Sequence, residues 1–450
     1  MSQDNQKPVR VGLLGIGTVG GGTFTVLKRN QEEIRRRAGR GISIDMVADL
    51  NVDRAKELVG DAAEVVSDAR QVIANPNIDV VVELIGGYGI AKTLVLEAIA
   101  AGKHVVTANK ALLAVHGTEI FAAAREKGVM VAFEAAVAGG IPIIKSLREG
   151  LTANQIQWVA GIINGTTNFI LSEMRDKGLD FDVVLKEAQR LGYAEADPTF
   201  DIEGVDAAHK ATLLSAIAYG IPVQFDKAYV EGITKLSAVD IKYAEQLGYR
   251  IKLLGIARRQ EVNGKVLGIE LRTHPTLVPQ RRLIANVEGA MNAVMVQGDA
   301  VGTTMYYGKG AGSEPTASAV VADLVDIARL TDAPAASYVP PLAFQHDSMS
   351  TLPILPIEEV VTSFYVRLRV ADQTGVLAKI TGILAEQGIS IDAVIQREAD
   401  EVSGEGGNQT DLILLTHDTK EGSMNKAIAA MQALPTVLAP IVRLRKEELA

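Results

Sequence analysis

The chain has 450 residues, which is too long for one hydrophobic core and predicts about three domains at roughly 100–200 residues each. Its 45 Lys and Arg against 54 Asp and Glu give a net charge of −9, which argues against a nucleic-acid partner, and the lack of cysteine excludes disulfides, zinc–thiolate sites and cysteine nucleophiles. The sequence shows no signal peptide and no apolar run of about 18 residues, so we expect a cytoplasmic protein without a membrane partner.

The first third of the chain alternates short apolar strands with helices. Strands are predicted at 9–14, 42–48, 80–85, 104–107 and 129–134, and a helix at 91–101. This alternation favours a parallel sheet with right-handed crossovers, and we place a Rossmann-like domain at residues 1–138. An amphipathic helix at 317–330 lies in the segment 316–340, which we expect to pack back onto this domain.

Patterns in the middle of the chain predict an α+β domain at residues 139–315. Its strands are predicted at 156–164 and 250–271, and its helices at 182–191 and 204–219. The proline-rich segment 341–361 predicts a linker, because proline neither continues a helix nor donates within a sheet.

Residues 362–450 predict a third, compact unit. Its elements are a strand at 363–371, a helix at 375–387, strands at 389–397 and 410–416 joined by a glycine-rich loop, a helix at 420–433 and a strand at 437–445. This β-α-β-β-α-β order is typical of a ferredoxin-like module.

Gly15-Ile16-Gly17-Thr18-Val19-Gly20 matches the dinucleotide-binding pattern G-x-G-x-x-G between a predicted strand and a predicted helix. Gly15 permits the turn, Gly17 lets a pyrophosphate approach the backbone, and Gly20 allows close packing of the helix on the strand. The helix start at Thr18 and Val19 supplies free N–H groups and the positive end of the helix dipole. The pattern therefore predicts a nicotinamide cofactor.

Two residues bear on which cofactor is preferred. Asp49 ends the second strand, where an acid would bond the ribose hydroxyls of NAD and repel the 2′-phosphate of NADP. Arg54 lies close enough in sequence to attract that phosphate instead. The choice between NAD(H) and NADP(H) stays open.

Two lysines stand out as candidate site residues. Thr107 and Lys110 lie at the carboxyl end of a predicted parallel strand, where doubly wound sheets place their ligands. Asp206 and Lys210 share one face of an otherwise apolar helix through their i, i+4 spacing. An exposed pair of this kind contributes only roughly 0.3–0.5 kcal/mol, but a helix this apolar is expected to be buried, and buried charges point to a function.

Five motifs occur together in the chain: Gly15-Ile-Gly-Thr-Val-Gly20, Thr107-Ala-Asn-Lys-Ala-Leu112, Asn164-Gly-Thr-Thr-Asn168, Gly192-Tyr-Ala-Glu-Ala-Asp-Pro198 and the pair Asp206–Lys210. With them, the chain resembles the homoserine dehydrogenase family over residues 9–345, and the tail from 362 resembles an ACT domain, a common amino-acid sensor. The resemblance implies that residues 139–315 carry catalysis and dimerisation, in a homo-oligomer that is a dimer or a tetramer.

The resemblance also implies a reaction: reversible NAD(P)H-dependent reduction of L-aspartate 4-semialdehyde to L-homoserine, in threonine, methionine and isoleucine biosynthesis. It assigns Lys210 as the acid–base lysine and Lys110 to a place beside it near the nicotinamide. Glu195 would hold the substrate ammonium, while Asp201 and Asp206 would order the polar network. Aldehyde reduction needs a cation at the developing alkoxide and a proton to quench it, and lysine can supply both.

Other residues follow from the same resemblance. Gly165 and Thr166 would belong to the substrate site, and Thr107 and Gly312 to the cofactor site, with the loop 308–312 covering the cofactor. A monovalent cation, usually sodium, would be bound by one side chain and three backbone carbonyls. These ligands would be the carboxylate of Glu134 and the carbonyls of Val137, Gly139 and Ile141.

In the tail, the helix start at Gly375 and Val376 offers free N–H groups for an amino-acid carboxylate, and Asp372 would take the ammonium. The alternative is that Asp372 simply caps the helix. The expected effector is L-threonine, the end product of the pathway.

Two other functions can be distinguished from the one that the resemblance implies. An aspartate-semialdehyde dehydrogenase needs a cysteine nucleophile, which this chain lacks. A non-catalytic NAD-responsive amino-acid sensor would have no use for a buried acid–base lysine, and turnover of NAD(P)H with aspartate semialdehyde would separate it from the enzyme.

Overall fold

The computed structural model describes residues 7–396 and 408–449. The glycine-rich loop predicted after residue 397 lies outside the described residues. Within the part of the chain that is described, no helix is long and apolar enough to span a membrane.

The N-terminal domain is built on a six-stranded parallel sheet in the order β3-β2-β1-β4-β5-β6. Its strands are β1 Val9–Leu14, β2 Ile42–Ala48, β3 Glu64–Val66, β4 Val80–Glu83, β5 His104–Thr107 and β6 Val131–Ala132. Its helices are α1 Thr18–Arg29, α2 Gln31–Ala38, α3 Val52–Val59, α4 Ala69–Ala74, α5 Ile90–Ala100 and α6 Lys110–Lys127. The predicted Rossmann-like sheet is confirmed, and its strand order reverses between β1 and β4, where such sheets bind ligands.

The predicted strand at 129–134 is wrong in its extent. Only Val131 and Ala132 pair with β5, and Glu134 already begins a 3-10 turn. Ala138 and Gly139 then adopt φ values of +55° and +51°, so the chain turns sharply where the alternating pattern suggested a longer strand.

The middle of the chain folds around long antiparallel strands. Its strands are β7 Ile156–Ile162, β8 Tyr229–Val230, β9 Tyr249–Val262, β10 Lys265–Pro279, β11 Met291–Gly298 and β12 Gly302–Lys309. Its helices are α7 Ile143–Lys145, α8 Gly165–Lys177, α9 Phe181–Arg190, α10 Thr199–Ile202, α11 Val205–Tyr219 and α12 Ala238–Gln246. The strands predicted at 250–271 are a hairpin that turns at Asn263-Gly264 with φ of +51° and +76°, the pair that a type I′ turn favours.

Helix α13, Ser313–Leu330, packs on α1 of the N-terminal domain, which confirms the predicted return of the chain. A Cβ at Gly22 would lie 2.4 Å from Ser313 Oγ, so only glycine permits this approach. The Ser313 hydroxyl donates to the carbonyl of Thr18 at 2.8 Å, next to the glycine-rich loop.

The C-terminal unit has the predicted β-α-β-β-α-β order. Its elements are β13 Val361–Ala371, α14 Val376–Glu386, β14 Ile391–Gln396, β15 Gln409–Thr416, the short β16 Thr419–Lys420, α15 Glu421–Gln432 and β17 Val442–Lys446. The last strand begins later than predicted, and only Val437 forms an isolated bridge ahead of it.

The sheets of the middle and C-terminal units are continuous, in the order β12-β11-β7-β9-β10-β17-β13-β15-β14. Strand β17 pairs with β13 on one side and in parallel with β10 on the other. The segment 341–361 is also attached to β10, because Ile269 donates its N–H to the Pro353 carbonyl and accepts one from Leu355, both at 2.9 Å. The tail is therefore joined to the middle domain by backbone pairing.

Candidate active site

The glycine-rich loop has the geometry that a dinucleotide requires. Gly15 has a φ of +90°, and a Cβ at Gly20 would lie 2.1 Å from the Gly15 carbonyl oxygen. A Cβ at Gly17 would meet no heavy atom within 4 Å, and no side chain caps the helix that starts there. The residues of this loop fit a pyrophosphate at the N-terminus of α1.

Asp49 lies beside this loop at the end of β2. Its carboxylate accepts the N–H of Ile16 and the N–H of Asn51, each at 2.8 Å. The side chain thus fixes the loop as well as the exit of β2, a role that the sequence did not suggest. Arg54 is exposed in the first turn of α3.

The ends of β4 and β5 are joined by Glu83, a buried residue that the sequence pattern did not indicate as part of the site. The Thr107 hydroxyl donates to Glu83 Oε2 at 2.7 Å, and Glu83 Oε1 accepts two backbone N–H groups from the loop after β4. Asn109 then caps α6 by accepting the N–H of Leu112, which places Lys110 at the first position of this helix. The sequence feature that could have identified Glu83 is a carboxylate at the end of a buried apolar strand.

The centre of the site is a buried carboxylate between two lysines. Lys210 Nζ lies 2.6 Å from Asp206 Oδ2 and donates to the carbonyl of Ile163 at 2.8 Å. Lys110 Nζ lies 3.3 Å from Asp206 Oδ1. Burial alone would raise the pKa of Asp206, but the charges of Lys210 and Lys110 outweigh it and hold that pKa well below its usual range.

This cluster exists because two helices from different domains pack together. Every residue of α11 from Asp206 to Tyr219 is buried, and α11 contacts α6, with Leu113 and Leu214 in one hydrophobic cluster. The apolar faces thus bring Lys110 at the start of α6 against Asp206 near the start of α11.

Asn164, which the sequence indicated only as the first residue of a motif, completes the polar network. Its Nδ2 donates to Asp201 Oδ1 at 2.7 Å and to Asp206 Oδ2 at 2.9 Å. Its Oδ1 accepts the N–H of Thr167 and so caps α8. Burial and the charge of Asp206 raise the pKa of Asp201. The sequence feature that could have identified Asn164 is an asparagine between a strand and a helix.

The loop that carries Glu195 lies over the start of α8. The Thr166 hydroxyl donates to the Tyr193 carbonyl at 2.6 Å, and the Tyr193 ring stacks on Phe169 with centroids 4.3 Å apart. The Glu195 side chain is exposed. A Cβ at Gly165 would lie 2.8 Å from the Ala290 carbonyl oxygen, so a side chain there would push α8 out of place.

The predicted cation ligands lie on the turn after β6. Glu134 is buried, and its two oxygens accept the N–H groups of Ile144 at 3.0 Å and Lys145 at 2.8 Å. Burial and the charge of Asp323 raise the pKa of Glu134 to about 7. Among the described residues no group of three or more carboxylate, histidine or cysteine side chains converges, so a cation at Glu134 would need backbone carbonyls.

The same turn contacts the loop 308–312. A Cβ at Gly139 would lie 2.4 Å from the Gly310 carbonyl oxygen, and Gly312 has a φ of +122° at the start of α13. The structure therefore brings the candidate cation turn, the loop 308–312 and, through α13, the glycine-rich loop together.

In the C-terminal unit, Gly375 has a φ of +86° and is the N-terminal cap of α14, without a side-chain hydrogen bond. The alternative in which Asp372 caps this helix is therefore wrong. Asp372 is held through its backbone: its N–H donates to the Asn408 carbonyl at 2.9 Å, and its carbonyl accepts Asn408 Nδ2 at 3.1 Å.

Three family models match the chain. One described as homoserine dehydrogenase matches residues 142–325, one described as homoserine dehydrogenase, NAD binding domain, matches residues 15–134, and an ACT domain model matches residues 364–435. The homoserine dehydrogenase of Pseudomonas aeruginosa is 61% identical over 443 residues, which are 98% of this chain and 100% of that protein.

Solved structures of homoserine dehydrogenases are also similar to this chain. A homoserine dehydrogenase from Thiobacillus denitrificans superposes with a TM-score of 0.93 at 64% identity, covering 99% of both chains. A hyperthermophilic archaeal homoserine dehydrogenase in complex with NADPH superposes with a TM-score of 0.60 at 26% identity, covering 73% of this chain and 99% of that one.

Proposed function

The chain belongs to the homoserine dehydrogenase family, and on that premise we propose that it interconverts L-aspartate 4-semialdehyde and L-homoserine with a nicotinamide cofactor. The observation that carries the proposal is the buried cluster in which Lys210 and Lys110 face the two oxygens of Asp206. A purified full-length enzyme should oxidise NADPH or NADH with aspartate semialdehyde and reduce the oxidised cofactor with L-homoserine. Absence of turnover in both directions with both cofactors would leave the non-catalytic sensor as the function.

The bound cofactor supplies or accepts the hydride. Lys210 donates a proton to the carbonyl oxygen of the semialdehyde as that oxygen gains negative charge, and takes the proton back in the reverse direction. Asp206 and the Ile163 carbonyl hold the ammonium group of Lys210 in one orientation. Lys110, with a side chain that is 36% exposed, adds a second positive charge for the alkoxide.

Carboxylates around this centre bind the amino-acid part of the substrate. Glu195, on the exposed loop over α8, pairs with the substrate ammonium, and Asn164 holds Asp201 and Asp206 side by side because its amide donates to both carboxylates. The Thr166 hydroxyl holds that loop through the Tyr193 carbonyl, and Gly165 lets the start of α8 lie close to Ala290. Together they orient the carbonyl of the substrate toward Lys210.

For the cofactor, Gly15, Gly17 and Gly20 would hold the pyrophosphate, and Asp49 would face the adenosine ribose. Thr107 would contribute to the nicotinamide end of the site, and Gly312 would let the covering loop close over it. The archaeal relative bound to NADPH supports NADP(H) as one cofactor, whereas Asp49 favours NAD(H), so we propose that the enzyme accepts both.

The turn after β6 would hold a sodium ion through the Glu134 carboxylate and the carbonyls of Val137, Gly139 and Ile141. A buried carboxylate whose pKa is raised to about 7 and a backbone turn with two positive φ values fit a small hard cation. The ion would have a structural role, because the turn supports the loop 308–312.

The ACT domain would sense L-threonine, with its carboxylate at the free N–H groups of Gly375 and Val376 and its ammonium near Asp372. The absence of a side-chain cap on α14 supports this assignment. The enzyme would assemble as a dimer or tetramer, in which threonine binding alters subunit packing.

A further inference from the structure

We propose that Glu231 is a positioning residue that couples the last strand of the ACT domain, β17, to the substrate-site carboxylates Asp201 and Asp206. The inference rests on the proposed function, because it takes those two carboxylates as part of the site that binds and orients the substrate. It concerns a contact inside one chain and requires no particular effector.

The first link is an ion pair between the two domains. Arg445 on β17 is buried, and its Nη1 donates to Glu231 Oε2 at 2.9 Å. The same Glu231 oxygen accepts the Tyr229 hydroxyl at 2.7 Å, and the Arg445 guanidinium lies 4.6 Å from the centre of the Tyr229 ring. Burial would raise the pKa of Glu231, but Arg445 outweighs it and keeps the group ionised.

Arg445 is itself fixed within the ACT domain, because its Nε donates to the buried Glu421 at 2.7 Å. Its strand pairs with β13 across Ser363–Arg367, and β13 leads into the predicted effector loop at Asp372. Arg445 thus forms ion pairs with both Glu421 and Glu231. A shift of β17 would therefore move Glu231 more readily than it would break these two ion pairs.

The second link is backbone packing after Glu231. The N–H of Ile233 donates to the Ile202 carbonyl at 2.8 Å, and the Thr234 hydroxyl donates to Glu203 at 3.0 Å. A Cβ at Gly232 would lie 2.3 Å from the Ile202 carbonyl oxygen, so the two segments are in direct backbone contact. Because the segment after Glu231 is packed directly against the end of α10, a displacement of one segment displaces the other.

The third link is the position of this backbone contact, which lies between Asp201 and Asp206 in the chain. Ile202 ends α10, one residue after Asp201, and Gly204 is the N-terminal cap of α11, two residues before Asp206. A Cβ at Gly204 would lie 3.2 Å from the Glu231 carbonyl oxygen. The junction between the two helices, which sets the distance between the two carboxylates, therefore rests on the Glu231 segment.

The test compares two full-length variants that each remove one charge from an ion pair between the ACT domain and the rest of the chain. Glu231→Gln weakens the link to the helix junction. Asp240→Asn is the matched control: Asp240 is buried on α12 and accepts Arg367 Nε at 2.6 Å and Nη2 at 3.0 Å. Both should lower the thermal midpoint. Only Glu231→Gln should raise the KM for L-homoserine, by about 5-fold or more, with the cofactor KM unchanged.

Equal homoserine KM values in Glu231→Gln and Asp240→Asn would overturn the coupling and leave Glu231 a purely structural residue. If Glu231→Gln does not fold, Tyr229→Phe removes only the hydroxyl that holds Glu231, and it should shift the homoserine KM in the same direction by a smaller factor. A wild-type enzyme with no homoserine turnover would instead overturn the proposed function.

Discussion

The ammonium nitrogen of Lys210 lies 2.6 Å from Oδ2 of Asp206, one turn earlier on the same buried helix. Lys110 approaches the opposite oxygen of this carboxylate from the N-terminal domain, at 3.3 Å. Because Asp206 faces two cations, either lysine can lose a proton while the buried carboxylate keeps a charged partner. This arrangement lets the site exchange a proton without leaving an isolated buried charge.

Removal of the lysine ammonium should abolish most of the activity. Lys210→Met should lower kcat by about 10²–10⁴-fold, the usual share of general acid catalysis, with cofactor KM near that of the wild type. The control is Lys103→Met: Lys103 is also buried and donates to the carbonyls of Asn75 and Ile78, but it lies at the amino end of β5, opposite Lys110. The control should lose stability and keep kcat. Steady-state kinetics that show near-normal kcat for Lys210→Met would end its assignment as proton donor.

Glu195 should act on substrate binding more than on chemistry. Glu195→Gln keeps the size and hydrogen bonding of the side chain and removes its charge, so KM for L-homoserine should rise while kcat changes less. Because the side chain is exposed, this substitution should not alter the thermal midpoint. An unchanged KM at saturating cofactor would point to Asp201 as the partner of the substrate ammonium.

Asp49 fixes the glycine-rich loop and is proposed to face the cofactor ribose, and two variants distinguish these roles. Asp49→Ser should raise the ratio of NADP to NAD specificity, because it removes the charge that repels a 2′-phosphate. Asp49→Asn also removes the charge, but it retains an oxygen that can accept the N–H of Ile16. Both variants should shift the ratio, whereas equal loss of kcat/KM for both cofactors in Asp49→Ser alone would show that Asp49 only fixes the glycine-rich loop.

The proposed sodium site predicts that stability depends on both pH and the cation present. The pKa of Glu134 is raised from 4.5 to about 7, so the folded state loses stability as the pH rises through this interval, and the loss is complete above it. A bound cation offsets this loss because it favours the ionised carboxylate. Sodium chloride should therefore raise Tm relative to choline chloride at about pH 8.5, and much less at about pH 5.5.

Glu134→Gln is the control for that experiment and should remove the difference between the two salts at both pH values. If wild-type Tm is the same in sodium and choline at the higher pH, Glu134 holds no cation.

Threonine sensing should depend on the start of α14. Gly375→Asp places a charge and a side chain at a backbone with a φ of +86°, and should raise the threonine concentration for half-inhibition by about 10-fold or more. Gly388→Asp is the matched control: Gly388 has a φ of +70° just after the other end of the same helix, and a Cβ there also meets no atom within 4 Å. Equal inhibition of both variants by threonine would place the effector elsewhere.

Truncation of the tail would be a poorer test of sensing. Glu447 accepts from Arg272 and Arg258 at 2.6 Å each, and its pKa is held at about 2 because these charges outweigh its burial. A chain without the tail would leave the buried Arg272 without this carboxylate and expose the edge of β10. Loss of activity in such a chain would report damage to the sheet.

The local sequence pattern was sufficient to predict several structural features of this protein. The bounds of β1, β2 and β5 agree with the predicted strands to the residue, because short, mainly apolar runs bounded by turn residues are typical of strands in a covered parallel sheet. The i, i+4 spacing on an apolar helix was enough to predict that Asp206 and Lys210 meet and are buried. The glycine-rich loop could be predicted because its positive φ and its close approach to the helix concern residues within six positions of each other.

The partners of these residues were decided only by tertiary structure. Nothing in the sequence around Asn164 indicates that it would bridge Asp201 and Asp206, and nothing around Lys110 indicates which carboxylate it would face. The same holds for the pairing of β17 with β10, which joins the ACT domain to the sheet of the middle domain. Periodicity fixes which face of an element is buried, but the neighbour against which it is buried depends on the packing of distant segments, and that packing minimises the free energy of the whole chain.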